Sequence, residues 1–235
     1  MKPILISEIF GPTIQGEGNL VGRATVFVRT GGCDFRCSWC DTLYAVLPEF
    51  KGDWAPRSPQ EILDEVERLS GGHPILITLS GGNPALQPLG PLLQLGHERG
   101  HTFALETQAS RPQDWFGELD YLVLSPKPPS SGMEFRPDAL RQCIEVGYGA
   151  MISLKVVVFD EADYLFARQI HQLHPEIPFF LSVGNPSPAQ GTESNTSELT
   201  GSLEWLLCRA AQDGWFSVTI LPQLHVLLWG NKRGV

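Results

Sequence analysis

Residues 31–42 read Gly31-Gly32-Cys33-Asp34-Phe35-Arg36-Cys37-Ser38-Trp39-Cys40-Asp41-Thr42 and directly follow an apolar run, 24–29, with the look of a strand. The spacing CxxxCxxC puts three thiols on one short loop. Three thiolates hold three corners of a [4Fe–4S] cube and leave one iron open, whereas iron–sulfur electron carriers commonly use four cysteines. An open iron can be chelated by a small molecule carrying an amino and a carboxylate group. A zinc site is the competing reading, and it needs four ligands, one of them drawn from the six histidines. Cys143 and Cys208 stand alone in apolar-periodic segments and read as core residues. Five cysteines, an odd number in a chain too long to need staples, argue against a disulfide framework.

Outward from that loop, apolar β-branched runs alternate with helical patterns. Strands are predicted over 24–29, 75–79, 102–106, 121–124, 152–159, 179–183 and 216–221, and helices over 58–69, 88–99, 137–146, 161–173 and 202–212. Ser58-Pro59-Gln60-Glu61 has the form of a capping box with Pro in the first turn, and Gly100 suits a helix end. Such alternation predicts parallel strands with crossover helices. About six strands are too few for an eightfold barrel, so the expectation is an α/β fold, a single-domain partial (β/α) barrel over 1–235. Its site should lie at the C-terminal strand ends. Segment 185–200, polar and rich in Ser, Thr and Pro, reads as a surface loop, and 128–132 as a second loop close enough to the site to be a lid.

The 235 residues are 42% hydrophobic and 18% charged, which fits a globular enzyme and not a disordered chain. No run approaches the ~20 apolar residues of a membrane span. The first residues, with an acid after only a few apolar positions, do not read as a secretory signal. Free thiols without an export signal point to the cytoplasm. A formal net charge of -9 argues against nucleic acid as partner. It leaves room for a small anion in a cleft lined by cations, for which Arg23, Arg29, Lys127 and Lys155 are candidates.

Three further motifs each follow a strand. Ser80-Gly81-Gly82-Asn83-Pro84 permits close backbone approach to a ligand. Glu106 ends an apolar strand, where an unpaired carboxylate is costly, so it is either a site residue or half of an ion pair. Ser125-Pro126-Lys127 sets a hydroxyl and a cation at a strand end, with Pro126 as terminator. Near the start, the run from Glu8 to Gly18 reads as a polar glycine-bearing loop before the first strand. Its Gln15 and Glu17 match the donor–acceptor edge of a flat heterocycle such as a pterin.

Together, Ile14-Gln15-Gly16-Glu17-Gly18, Phe27-Val28-Arg29-Thr30-Gly31-Gly32-Cys33, Cys40-Asp41-Thr42, Ser125-Pro126-Lys127 and Gln223-Leu224-His225 resemble the 7-carboxy-7-deazaguanine synthases. These are radical S-adenosylmethionine (SAM) lyases of queuosine and 7-deazapurine biosynthesis. The resemblance implies conversion of 6-carboxy-5,6,7,8-tetrahydropterin to 7-carboxy-7-deazaguanine with loss of ammonia. A radical ring contraction carries it out, with SAM used catalytically. It implies Cys33, Cys37 and Cys40 as cluster ligands and Thr42 as the Mg²⁺ ligand. Trp39, Asp41, Gly82, Ser125, Pro126 and Lys127 would line the SAM site, with Glu106. Ile14, Gln15, Gly16, Glu17, Arg29, Ser80 and His225 would lie against the pterin. Asn83 stands where many relatives carry Glu. The resemblance further implies a substrate loop at 1–22, a cluster loop at 31–42 and a tail, 222–235, over the active site. A flavodoxin or ferredoxin would be the electron donor, and a homodimer the assembly. Two other readings compete: a glycyl-radical-enzyme activase, which shares CxxxCxxC but gives no reason for Gln15 and Glu17, and a non-enzymatic zinc protein. A cluster protein is brown and a zinc thiolate colourless.

Overall fold

The computed structural model describes residues 2–185 and 196–235. Its strands are β1 Ile4–Ile14, β2 Ala24–Thr30, β3 Ala55–Arg57, β4 Leu76–Gly81, β5 Thr102–Thr107, β6 Tyr121–Leu124, β7 Met151–Val158, β8 Phe179–Val183 and β9 Val218–Leu221. They form one sheet in the order β3-β1-β2-β4-β5-β6-β7-β8-β9. From β2 to β9 every pairing is parallel, while β1 lies antiparallel on β2 and β3 antiparallel on β1. The parallel part therefore has seven strands against the six or so expected, in the open partial-barrel arrangement.

Each parallel strand divides its side chains between two faces, as the period of two requires. Val26, Val28, Ile77, Leu79, Phe103, Leu105, Leu122, Leu124, Leu154, Val156, Phe179 and Leu181 belong to the main core beneath the helices. The other face is mixed. Leu76, Ala104 and Tyr121 meet Leu20 in a small apolar plug. The alternate positions further along carry Thr78, Ser80, Glu106 and Lys155. Burying a Leu or Phe of the first set stabilises the fold by about 1.5–3 kcal/mol, so the outer layer fixes the register and the inner layer is free to carry chemistry.

The helices are α1 Leu43–Val46, α2 Pro59–Ser70, α3 Gly90–Glu98, α4 Pro137–Val146, α5 Glu161–Leu173, α6 Thr196–Gln212 and α7 Leu224–Trp229. The capping box at Ser58 is present: its backbone N–H donates to Glu61 Oε2 at 2.7 Å, and its Oγ accepts from Glu61 N at 3.3 Å.

Three expectations are corrected. The run from Glu8 to Gly18 is not a loop before the first strand, because residues to Ile14 complete β1. Register shifts between Ile6 and Glu8, and between Phe10 and Thr13, break its alternation. Ile4 and Ile6 face the main core, yet beyond the first shift Ile9 does so instead, leaving Glu8 and Phe10 opposite Arg29 and Phe27. A bulge moves side chains to the other face, so the run does not read as a strand. Of the loop expected at 185–200, residues 186–195 lie outside the described part, and 196–200 open α6. Cys208 is exposed, because α6 buries Leu199, Leu206 and Ala210 and Cys208 lies off that stripe. Within the tail, Leu224–Trp229 is a helix.

Candidate active site

The C-terminal strand ends surround a cavity of about 210 Å³. Cys33, Cys37, Trp39, Cys40, Asp41 and Thr42 line one wall, and Ile14, Gln15, Glu17, Arg29 and His225 another, with Ser80, Gly82, Glu106 and Lys127 between them. Gly16, Ser125 and Pro126 stand behind this lining. Gly16 packs against His225 so closely that an added Cβ would overlap the imidazole. Ser125 is buried, and its Oγ accepts from Lys127 Nζ at 3.1 Å. Arg23 belongs to the far rim, at the N-terminal end of β2, where it donates to Tyr121 Oη at 3.0 Å. It is removed from the cleft cations.

The cysteine loop is fixed from both sides. Gly82 N donates to Thr30 O at 3.1 Å and Asn83 N to Gly32 O at 2.8 Å. A Cβ on Gly82 would overlap the Gly32 carbonyl, so this glycine is required by chain packing as well as by the cavity. On the other flank Trp39 Nε1 donates to Ser130 Oγ at 3.0 Å and Ser38 N to Ser131 O at 3.0 Å. The 128–132 segment is thus a buttress of the cysteine loop. Lys127 Nζ lies 5.7 Å from the centroid of the Trp39 ring.

The donor set suits a cluster. All three thiols are half-buried and line one cavity. Cys33 Sγ accepts from Phe35 N at 3.4 Å and Gln108 Nε2 at 3.5 Å, the kind of N–H donation that stabilises cluster sulfur. Among the described residues no three His, Cys, Asp or Glu side chains converge on a point suited to a single metal ion. Burial pushes the Cys37 thiol up to about 11 despite the pull of Lys127, and burial likewise raises Cys33. A bound metal's charge overcomes such a penalty by displacing the thiol proton. Thr42 Oγ1 lies 3.7 Å from Cys40 Sγ and caps no backbone group of α1.

The opposite wall is held by charge. Lys155, 1% exposed, pairs with both Glu17 and Glu106, and Gln223 Nε2 also donates to Glu17. Burial opposes ionisation of Glu17, but Lys155 and His225 outweigh it and hold the carboxyl well below its ordinary range. Burial likewise opposes the Lys155 cation, and the two carboxylates keep it protonated. Glu17 therefore binds Lys155 and Gln223 at the same time as it lines the cavity. Gln15 uses its carbonyl on Glu17 N at 3.2 Å, which leaves its NH₂ for a ligand. Arg29 Nε donates to Glu8 at 2.8 Å, leaving both Nη groups for an anion. Glu8 also accepts from Tyr44 Oη and Arg233 Nε, each at 2.7 Å. Ser80 Oγ is buried without a partner beside the cavity.

Sequence reasoning gave no site role to Phe10, Phe27, Phe35 and Val46, which line the cavity. The stacked rings of Phe10 and Phe27, 5.1 Å apart, become visible only once β1 is placed on β2. Thr107 and Gln108, which complete the strand-end run Glu106-Thr107-Gln108, line the cavity as well.

The sequence profile described as the Radical SAM superfamily matches residues 27–125, the segment holding the cysteine loop and β2 to β6. The crystal structure of QueE from Escherichia coli superposes with a TM-score of 0.70 at 20% identity, covering 94% of each chain, which shows the radical SAM fold. The 7-carboxy-7-deazaguanine synthase of Bacillus cereus is 43% identical over all of both chains. That of Bacillus subtilis is 44% identical, covering all of this chain and 99% of its own. The chain belongs to the 7-carboxy-7-deazaguanine synthase family.

Proposed function

We propose that this chain converts 6-carboxy-5,6,7,8-tetrahydropterin to 7-carboxy-7-deazaguanine with loss of ammonia, as a radical SAM lyase that uses SAM catalytically. The observation that carries this is a single cavity, in a member of this family, with three loop thiols on one wall and Gln15, Arg29 and His225 on the other. Held by Cys33, Cys37 and Cys40, a [4Fe–4S] cluster with bound SAM would supply the radical chemistry for hydrogen abstraction from the pterin.

The chain's own residues bind, orient and exclude water. Cys33, Cys37 and Cys40 are the cluster ligands. Trp39, Asp41, Gly82 and Lys127 form the SAM wall, with Glu106; Ser125 fixes Lys127 and Pro126 ends the strand behind it. Arg29 meets the substrate carboxylate. The amide of Gln15 and the backbone of Ile14 and Gly16 read the pterin edge. Ser80 and His225 close the remaining sides, and Glu17 orders the Lys155 network beneath them. Thr42 supplies a hydroxyl to Mg²⁺, a hard cation that takes oxygen ligands and keeps several waters. A flavodoxin or ferredoxin is the reductant, and the enzyme works as a homodimer in the cytoplasm.

Anaerobic reconstitution with iron and sulfide, followed by reductant, SAM, Mg²⁺ and the tetrahydropterin, tests the reading by mass spectrometry. Formation of 7-carboxy-7-deazaguanine without stoichiometric loss of SAM is the expected result. SAM cleavage with the pterin left intact points to the activase reading, and a colourless, cluster-free protein points to zinc.

A further inference from the structure

Asp34 stands one residue beyond Cys33 and is tied from three directions. Its Oδ1 accepts from Asn83 Nδ2 at 2.8 Å and Gln108 Nε2 at 2.7 Å, and its Oδ2 from Ser110 Oγ at 2.8 Å. Arg111 Nε lies 3.5 Å from Oδ2, and the Asp34 side chain is 20% exposed. Asn83 is fully buried and completely engaged. Its Nδ2 also reaches Ser110 Oγ at 3.1 Å, and its Oδ1 accepts from Ala85 N at 3.1 Å and Thr107 Oγ1 at 2.8 Å.

Between Gln108 and Ser110, the two donors from the β5 end, Ala109 has φ of 61°. It alone among the described non-glycine residues has a positive φ. Such a conformation persists only where surrounding contacts over-determine it. Here both neighbours are hydrogen-bonded to one carboxylate.

The Gln108 amide nitrogen faces two acceptors, Asp34 Oδ1 and, at 3.5 Å, Cys33 Sγ. An amide NH₂ has two protons, one for each. Ionised Asp34 only accepts, so it forces the amide to present nitrogen instead of oxygen to this corner. The same logic explains Asn83. A carboxylate at that position would set like charge against Asp34, whereas the amide donates to it.

We propose that Asp34, Asn83, Gln108 and Ser110 form a clamp that holds the first cysteine arm, and that Gln108 sets the reduction potential of the bound cluster by donating to Cys33 sulfur. This rests on the assignment of the three cysteines as cluster ligands. Reduction adds negative charge to the cluster, and a fixed N–H on a sulfur stabilises the reduced form more than the oxidised one. Gln108 acts at the sulfur, while Asp34, Asn83 and Ser110 are positioning residues.

The test uses the full-length protein reconstituted with iron and sulfide, without SAM. Two quantities are read: the midpoint potential by spectroscopic redox titration, and the rate of iron loss to a chelator. Gln108→Leu is expected to shift the reduction equilibrium toward the oxidised cluster about tenfold, about 59 mV more negative for one electron. Should it fail to load, Gln108→Asn, which withdraws the donor by one methylene, gives the same sign. Asp34→Ala and Asn83→Asp are expected to lose iron several-fold faster than wild type. A fully loaded Gln108→Leu protein with an unmoved potential overturns the donor role. Iron loss at the wild-type rate in both Asp34→Ala and Asn83→Asp overturns the clamp. A wild-type chain that takes up no cluster fails the cysteine assignment itself, an outcome distinct from both.

Discussion

The two walls of the cavity are built in opposite ways. The cysteine wall is held largely by neutral donors converging on one carboxylate, from segments that are neighbours in the β2-β4-β5 part of the sheet. The facing wall is held by ion pairs and a charge-assisted hydrogen bond that span most of the chain. Lys155 and Glu17 are 138 positions apart, Gln223 and Glu17 are 206 apart, and Arg233 and Glu8 are 225 apart. Donors that converge on one carboxylate from adjacent strand ends suit a metal loop whose ligands must not drift. A wall made from the strand before β2 and the C-terminal tail can differ in residue detail while the barrel stays the same, and its charges make it answer to pH.

The sharpest break in that contrast is Cys37→Ala, which should abolish the brown cluster altogether while leaving the charged wall and the fold intact. A fully loaded variant would contradict the three-thiol assignment. Next is Lys155→Met. Removing one partner of a buried ion pair typically costs about 3–5 kcal/mol, and here two carboxylates lose their cation. Urea unfolding should register a loss of that order, and a change below ~1 kcal/mol would show that the network is not structural.

The same network sets a pH signature. Glu17 is held below its ordinary value of 4.5, to about 2. Its stabilisation is therefore complete above pH 4.5 and fades as pH falls toward 2. Lys155 is held above its ordinary 10.5, so its contribution is complete below that pH and fades as pH rises through the folded-state value. In Lys155→Met, Glu17 loses the cation that offsets its burial and favours its neutral form, so the cost of the mutation should shrink in acid. A penalty that stays constant from pH 7 to pH 4 would contradict the pairing.

Arg29→Ala should come third. A hydrogen bond to a charged group contributes about 1.5–3 kcal/mol, which corresponds to a tenfold to hundredfold rise in the pterin KM with a smaller change in kcat. An unaltered KM would leave Arg29 serving Glu8 alone. The smallest effect is expected for Arg233→Ala. Its side chain is 44% exposed, and such pairs contribute about 0.2–1 kcal/mol. A loss in thermal stability as large as that of Lys155→Met would erase the distinction between buried and peripheral charge on this wall.

Legibility in the sequence followed the same division. The cysteine wall was readable because its ligands, Trp39, Asp41 and Thr42 lie in one contiguous run, and the parallel strands because each is a short, largely apolar run set between helical patterns. Strand β1 was missed because its two register shifts break the side-chain period of two along it. Arg23 looked like a cleft cation because it is close to Arg29 in sequence. Six residues of extended chain, about 20 Å at ~3.3 Å each, separate the two rims. Cys208 looked like core because apolar residues surround it in sequence, although the buried stripe of α6 passes on the other side. Asn83 stood out in the sequence only as a replacement for the Glu of many relatives, whereas its four hydrogen bonds make it a node of the Asp34 clamp.

By itself the sequence determined the class of cofactor, the parallel α/β architecture and the rim on which chemistry occurs. Motif spacing and side-chain period are local properties, and a local property survives in one dimension. Only the tertiary structure decided that Glu17 pairs with Lys155, that Gln108 reaches the sulfur of Cys33, and that Arg233 pairs with Glu8. Each of those depends on segments joined through the sheet or across the cavity. Coulomb attraction and hydrogen bonding act over a few ångströms of space, whatever the number of residues between the partners.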